Sequence, residues 1–418
     1  MGAPFAGLRG TGSFGTDERP KNFREMILWA DPNGRAPFTA LSAKMKTEST
    51  TDPEFAWWEE TLKPRMVYIN NGAGYDNNPA TVTFTVDHGP GTHTDGYGNA
   101  LTDTDLTANQ FVPGDLLAIE KNNDPNTNEI VRVTTVNSAT SITVARAVAG
   151  STIASMTDNT RLTRVGSHYG EGSLSPNTVT SNPTKLVNYC EIQKTAFQVS
   201  NSAKATTFRT GDPMANDRKR KMFDHAEKHE MSAIFGRPSE TTDANGMPLR
   251  TSGGLRYFLS SHVTTFTVDP TEDTFLNAVS GMFDFNANGA GNQRIAFIGN
   301  RALNFLNILV RNNTNVKINY DGKIDVYGME LMKWIIPQGE IAFKTHPLMN
   351  VHPQWSAAML FVNPAGIVRR PLKGRDTKEE KNIQANDADY QKNQWIDEIG
   401  MEYHFEKTMG AIFGFYDH

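Results

Sequence analysis

Residues 211–236, GDPMANDRKRKMFDHAEKHEMSAIFG, are the clearest long amphipathic helix in a chain otherwise written in strand and loop patterns. Asp212 is placed to accept hydrogen bonds from first-turn N–H groups that lack an intrahelical partner, and Pro213 sits where a missing N–H costs nothing. Met222, Phe223, Ala226, Ala233 and Ile234 recur at three-, four- and seven-residue offsets, which predicts a helix over 213–236 with one apolar packing stripe. Gly236 followed by Pro238 ends it. The run Arg218-Lys219-Arg220-Lys221 falls in the early helix, where the macrodipole disfavours positive charge. A solvated face is one reading of this run; contact with an acidic subunit surface or with nucleic acid is the other.

About half the chain precedes this rod, mostly in Thr/Asn/Gly-rich β pattern, and a mixed α/β stretch follows it. One long charged rod between two unlike regions points to a scaffold more than to a catalytic core. Residues 1–60 read as an arm, with a short helix at 22–29 and a turn at 31–34. Its large apolar groups, Phe38, Phe55, Trp57 and Trp58, lie in a region too short to form its own core, so they are expected to anchor the arm against another surface. Residues 61–210 read as a long extended hairpin with limbs at 62–69 and 185–200. Between them, strands at 66–69, 81–86, 116–120, 130–136 and 141–145 alternate apolar and polar residues, as in a small inserted β-barrel or sandwich. A hairpin that long cannot bury both faces by itself.

Beyond the rod, 271–285 and 301–310 read as helices and 294–299 as a buried strand. Segments 317–320, 323–327, 330–336, 340–344 and 357–362 add strand pattern around the Asp321-Gly322 turn. The last segment, 394–416, alternates through Met401, Tyr403 and Phe405 in the manner of a paired strand. The fold class is therefore α+β.

With 418 residues, 38% hydrophobic and 21% charged, the chain is long enough for two or three compact units. A net charge of −5 gives no global attraction to nucleic acid or anionic lipid, so such contact requires a local basic patch. One cysteine, Cys190, builds neither an intrachain disulfide nor a thiolate zinc site and reads as a small strand residue. No run approaches the roughly 18 apolar residues of a membrane span, and the N-terminus lacks the apolar core of a secretory signal. No membrane partner is expected, and the site of synthesis is expected to be a cytoplasm.

Signatures of catalysis are weak. Phosphate-loop, dinucleotide-binding and nucleophile-elbow motifs do not occur. His225 and His229, four apart, share one helix face, but Glu227 is out of register for a zinc-protease motif and Lys228 opposes a cation; the pair reads as surface, with no metal, cofactor or catalytic residue expected. Asp87, His88, His93 and Asp95 cluster in a Gly-rich loop of ordinary composition. The carboxylate pairs Glu59/Glu60 and Asp397/Glu398 say little by adjacency, since acid–base pairs are set by three-dimensional separation.

The order of parts resembles the major capsid proteins of tailed double-stranded DNA phages with the fold named for phage Hong Kong 97, and in particular a subfamily similar to that of phage SU-ten. The resemblance is carried by RPKNFRE at 19–25 and SAKM at 42–45 in the arm, and by DRKRKMFDHAEKHEMSAIFG at 217–236 in the helix. It continues in DGKIDVYG at 321–328 and DEIGMEYHF at 397–405. It spans most of the chain in diffuse patterns.

The resemblance implies a non-enzymatic assembly protein: arm 1–60; extended loop 61–210 carrying a β module at about 70–168; peripheral domain 211–254 with its spine helix; axial domain 255–365; and returning strands 366–418. It implies hexamers and pentamers of the chain in an icosahedral head, a virion location after assembly in a bacterial cytoplasm, and packaged double-stranded DNA. A portal, a decoration or cement protein, and a separate scaffolding protein complete the expected partners; the last is expected because the chain enters its arm without a long charged helical segment. Arg218, Lys219, Arg220 and Lys221 are then expected at a subunit contact or facing the genome. A β-rich glycan-binding or glycan-active surface protein is the competing reading.

Overall fold

The computed structural model describes residues 38, 46–60, 65–80, 82–87, 107–120, 129–180, 182–285, 291–312, 323–326 and 329–415. The expected helix at 22–29, the turn at 31–34, the strand at 317–320 and the loop residues His88, His93 and Asp95 lie outside them.

Local chemistry places the spine helix, Pro213–Phe235, where the sequence predicts it. The Asp212 carboxylate accepts from the Met214 N–H at 2.9 Å, and the Gly236 N–H closes the last turn on the Ser232 carbonyl at 2.8 Å. Gly236 has φ −59°, so the left-handed conformation is not its reason for being there. A Cβ would come within 2.3 Å of the Ser252 carbonyl oxygen, and this close backbone approach selects glycine.

The helix lies across a five-stranded sheet whose order is Lys46–Thr47, Ile367–Pro371, Tyr390–Tyr403 and Glu191–Ser200, with Lys378–Glu380 also pairing to the long closing strand. Glu191–Ser200 runs antiparallel to Tyr390–Tyr403 over its whole length, from Glu191 opposite Ile399 to Ser200 opposite Tyr390. The closing strand is thus the centre of a sheet built from segments far apart in sequence.

A second sheet has seven strands in the order Val263–Thr265, Gly410–Phe413, Ala358–Val362, Gln293–Ile298, Gly339–Thr345, Met329–Ile336 and Lys323–Val326. Period-two alternation divides its central strand between two cores. Ile295 and Phe297 face Ile234 of the spine helix, Leu255, Met401 and Tyr403, whereas Ala296 and Ile298 face helices Glu272–Ser280 and Asn300–Asn312 through Phe275, Phe305 and Leu306. Burial on both faces explains why 294–299 reads as a continuous apolar run. The Thr271 hydroxyl caps the first of these helices, accepting from the Thr274 N–H.

The extended hairpin has different limbs from those expected. Glu54–Glu59 pairs with Thr184–Tyr189, Trp57 opposite Leu186, while Met66–Ile69 belongs to the inserted module. Both segments alternate, and only the partner strand decides which is the limb. Between the limbs, six strands from Met66 to Ser167 close into a barrel in the order Met66–Ile69, Thr83–Asp87, Ser141–Ala145, Glu129–Ser138, Asp115–Glu120 and Arg161–Ser167. Its interior is filled by Val67, Ile69, Phe84, Leu117, Val131, Ile142 and Leu162. Within it, Arg146 makes a two-pronged bond to Glu129, Nε to Oε1 at 3.0 Å and Nη2 to Oε2 at 2.7 Å, and both side chains are buried.

Candidate functional site

Two parts of the spine helix were singled out in the sequence, and the structure treats them differently. Along the expected packing stripe, Ile234 is fully buried and Phe223 and Ala226 are half-buried. Met222 is 55% exposed, which corrects its assignment as a packing residue. It shares the angular sector of Ala226 and Ala233 but lies nearer the helix N-terminus, and periodicity cannot say where the covering sheet ends.

His225 and His229 correct the opposite way: His225 is buried and His229 nearly so, because the face they share lies on the five-stranded sheet. His225 Nε2 lies 2.9 Å from Asp397 Oδ2, and His229 Nε2 bonds the same oxygen. The Thr377 hydroxyl donates to it as well, at 3.1 Å, and Thr195 Oγ1 lies 3.1 Å from His225 Nδ1. Burial alone would raise the Asp397 carboxyl; the bonds from His225 and His229 overcome it and hold the group at about 2. In the sequence Asp397 reads only as half of an adjacent carboxylate pair, Asp397/Glu398. On a strand, neighbouring side chains point to opposite faces, so Asp397 meets the helix while Glu398 turns away toward Arg375.

The basic run is largely matched within the chain. Arg218 Nε bonds Glu379 Oε2 at 3.0 Å with its guanidinium 5.2 Å from the Trp395 ring centre, Arg220 pairs with Asp217 at 3.0 Å, and Lys221 pairs with Asp224 at 2.7 Å. Those carboxylates account for positive charge near a helix N-terminus. Arg218, Lys219 and Arg220 remain exposed, a short basic ridge that winds about halfway round the rod.

Of the four arm aromatics expected to anchor on another surface, three find that surface within the chain itself. Phe38 packs edge-on against Phe297 at 5.6 Å, and Phe55 and Trp57 pack with Cys190 and Phe258. Trp58, on the other strand face, is 64% exposed. Burial pushes the Cys190 thiol up to about 12, in keeping with a packing role. Exposed apolar groups continue along the strand leaving the barrel and the segment returning from it, at Val165 and Leu174, and on the small hairpin Ser239–Thr242/Pro248–Thr251, at Met247 and Leu249. Such scattered apolar groups on long, thin elements suit contact with another polypeptide better than small-molecule chemistry.

The sequence profile of the SU10 major capsid protein family matches residues 9–415. A major capsid protein of Pseudomonas phage PaMx41 is 24% identical over 385 residues, 90% of this chain and 84% of that protein. Among solved structures, the capsid of Myoviridae phage XM1 is similar over 59% of this chain and 81% of its own, at 10% identity and a TM-score of 0.40. The mature capsid of bacteriophage PhiM1 is similar over 60% and 78%, at 11% identity and a TM-score of 0.38.

Proposed function

The chain belongs to the SU10 major capsid protein family, and from that premise we propose that it assembles through hexamers and pentamers into the icosahedral head enclosing the double-stranded DNA of a tailed phage. It is a phage major capsid protein, a structural subunit of the virion shell. The observation that carries the finer reading is the family match across 9–415 on a chain whose extended elements leave apolar groups such as Trp58, Leu174 and Met247 uncovered. Copies of the same chain would cover them, as symmetric oligomers do.

In this reading the hairpin of Glu54–Glu59 and Thr184–Tyr189 lies across a neighbouring subunit, the spine helix stiffens the peripheral domain, and the seven-stranded sheet meets its copies about the capsomer axis. Its role is structural, without catalysis. The barrel sits on the outer surface or reinforces contacts between capsomers. Assembly takes place in the bacterial cytoplasm, with a separate scaffolding protein, a portal and, on the finished shell, a decoration protein. Packaged DNA meets the basic ridge without sequence preference, since the recognition offered is charge alone.

Electron microscopy of purified particles tests the reading: closed shells with five- and six-fold capsomers are expected, and discrete soluble oligomers would remove it in favour of a glycan-binding surface protein. Expression of the chain alone in bacteria tests the scaffolding partner. Correctly sized closed shells from that experiment would show that no separate scaffold is required.

A further inference from the structure

We infer that His225, His229 and Asp397 form a binding site for a divalent cation of the zinc class, which would staple the spine helix to the closing strand. The three ligand atoms, two imidazole Nε2 and one carboxylate oxygen, lie within 4.8 Å of one another. Zinc binds imidazole nitrogen and carboxylate oxygen at about 2.0–2.2 Å, which sets neighbouring ligand atoms in a tetrahedron roughly 3.4 Å apart. The histidines are already spaced by one helical turn and aimed at one oxygen, so the side chains need only open slightly to admit the ion.

The donor set selects among cations. Two imidazoles with one carboxylate suit zinc, cobalt or nickel, whereas magnesium and calcium prefer oxygen ligands throughout. A fourth position is available. Gln193 stands directly opposite Asp397 in the strand pairing, is buried, and among the described residues its Oε1 has no hydrogen-bond partner, nor has Asp397 Oδ1. Gln193, His229 and Thr377 line a small cavity of about 60 Å³, room enough for a water ligand. These two buried oxygens, unpaired among the described residues, offer acceptors to a cation's bound water.

Outer contacts orient the ligands. Thr195 Oγ1 on His225 Nδ1 leaves Nε2 as the ligating atom once the ring proton moves to Nδ1, and the Thr377 hydroxyl holds the carboxylate. Lys228, which argues against a cation in the sequence, is turned away: its Nζ donates to Thr195 Oγ1 at 3.1 Å and to the Lys194 carbonyl at 3.2 Å, on the Nδ1 side of the His225 ring. Arg369, also at the cavity, is engaged by the Asp376 carboxylate at 3.1 and 2.5 Å.

Titration of chelator-treated full-length protein with Co²⁺ alone tests the site. Saturable uptake of about one ion per chain is expected, with the visible absorption bands of a four-coordinate nitrogen/oxygen site that added Zn²⁺ abolishes. His229→Gln, which keeps the His225–Asp397 bond, is expected to lose the bands while far-ultraviolet circular dichroism stays unchanged. Absence of saturable uptake by the parent protein, or undiminished uptake by His229→Gln, overturns the inference. Should the variant not fold, zinc-edge X-ray absorption of the zinc-loaded parent decides: a first shell with two imidazoles is expected, and a shell without imidazole overturns it. The readout is metal on the chain, so it stands apart from whether particles form.

Discussion

Glu230 Oε1, fully buried on the spine helix, lies 2.7 Å from His346 Nε2 beneath the seven-stranded sheet and also accepts the Phe38 N–H at 2.7 Å. His346 Nδ1 accepts from the Met349 N–H, so the network assigns the ring proton to Nε2, facing Glu230. One carboxylate therefore joins the arm, the rod and the central sheet across separations of 192 and 116 residues. Glu230→Ala strands both donors in the core and, at about 1–3 kcal/mol for each, is expected to destabilise the subunit by about 2–6 kcal/mol. Denaturant unfolding of the variant measures it; a loss below about 1 kcal/mol would contradict the assigned role.

The barrel carries its own buried pair. Glu129 accepts from Arg146, from the Ala147 N–H at 3.0 Å and from the Ala154 N–H at 2.9 Å, while Arg146 also donates to the Asp76 carbonyl at 3.0 Å. Arg146→Met leaves the carboxylate without its counter-charge, at a cost of about 3–5 kcal/mol. Hydrogen exchange is expected to accelerate at amides of 66–167 and not in strand Glu191–Ser200. Uniform acceleration in both would show that the barrel does not open as a separate unit.

Gly400 is selected by close packing. A Cβ there would meet the Phe55 ring at 2.5 Å and the Tyr189 carbonyl oxygen at 2.7 Å. Gly400→Ala is expected to cost about 1–3 kcal/mol by pushing the arm hairpin off the closing strand. The loss should read out as a lower Tm; an unchanged Tm would mean that the hairpin shifts freely.

His262 supplies a pH dependence. Burial is the largest influence and pulls its imidazole below the ordinary histidine range, against the opposing pull of Glu406 and Asp284. Among the described residues Nε2 has no hydrogen-bond partner, and the ring fills the space above Gly281. Because the folded-state value is depressed, the stability it contributes is fully present above the unfolded value near 6.5 and is lost as pH falls through the folded value. The difference in Tm between the parent protein and His262→Gln should therefore change below about pH 6.5. A constant difference from pH 7 to pH 5 would exclude this histidine as the source.

The basic ridge yields an assembly prediction. Arg218→Glu would break an internal bond to Glu379, so it confounds folding with assembly. Replacing Lys219, Arg220 and Lys221 by Glu touches exposed or half-exposed pairs worth about 0–1 kcal/mol and should leave the subunit folded. Particle yield or DNA content is expected to fall. Normal, full particles from this triple variant would remove the ridge from assembly and packaging.

Wherever local chemistry decides structure, the elements were legible. Asp212 and Pro213 open the spine helix, and alternation at Ser141–Ala145 marks a barrel strand, because caps and pleats act within a few residues. Partner choice was not legible: Met66–Ile69 and Glu54–Glu59 alternate alike, and pairing with Thr184–Tyr189 picks the second. Met222 reads as buried and His225 as surface, and the fold reverses both, since what covers a helix face is not written in the helix.

The sequence by itself determined an α+β chain with a capped charged rod, an inserted β module, and residues that resemble a phage capsid subunit. Tertiary structure alone decided that this rod is held by buried polar bonds: His225 and His229 to Asp397, and Glu230 to His346. The physical reason is distance. Capping and periodicity are set by neighbours three or four residues away, whereas a buried carboxylate finds its partners across more than a hundred residues, and only the folded register brings them within bonding reach.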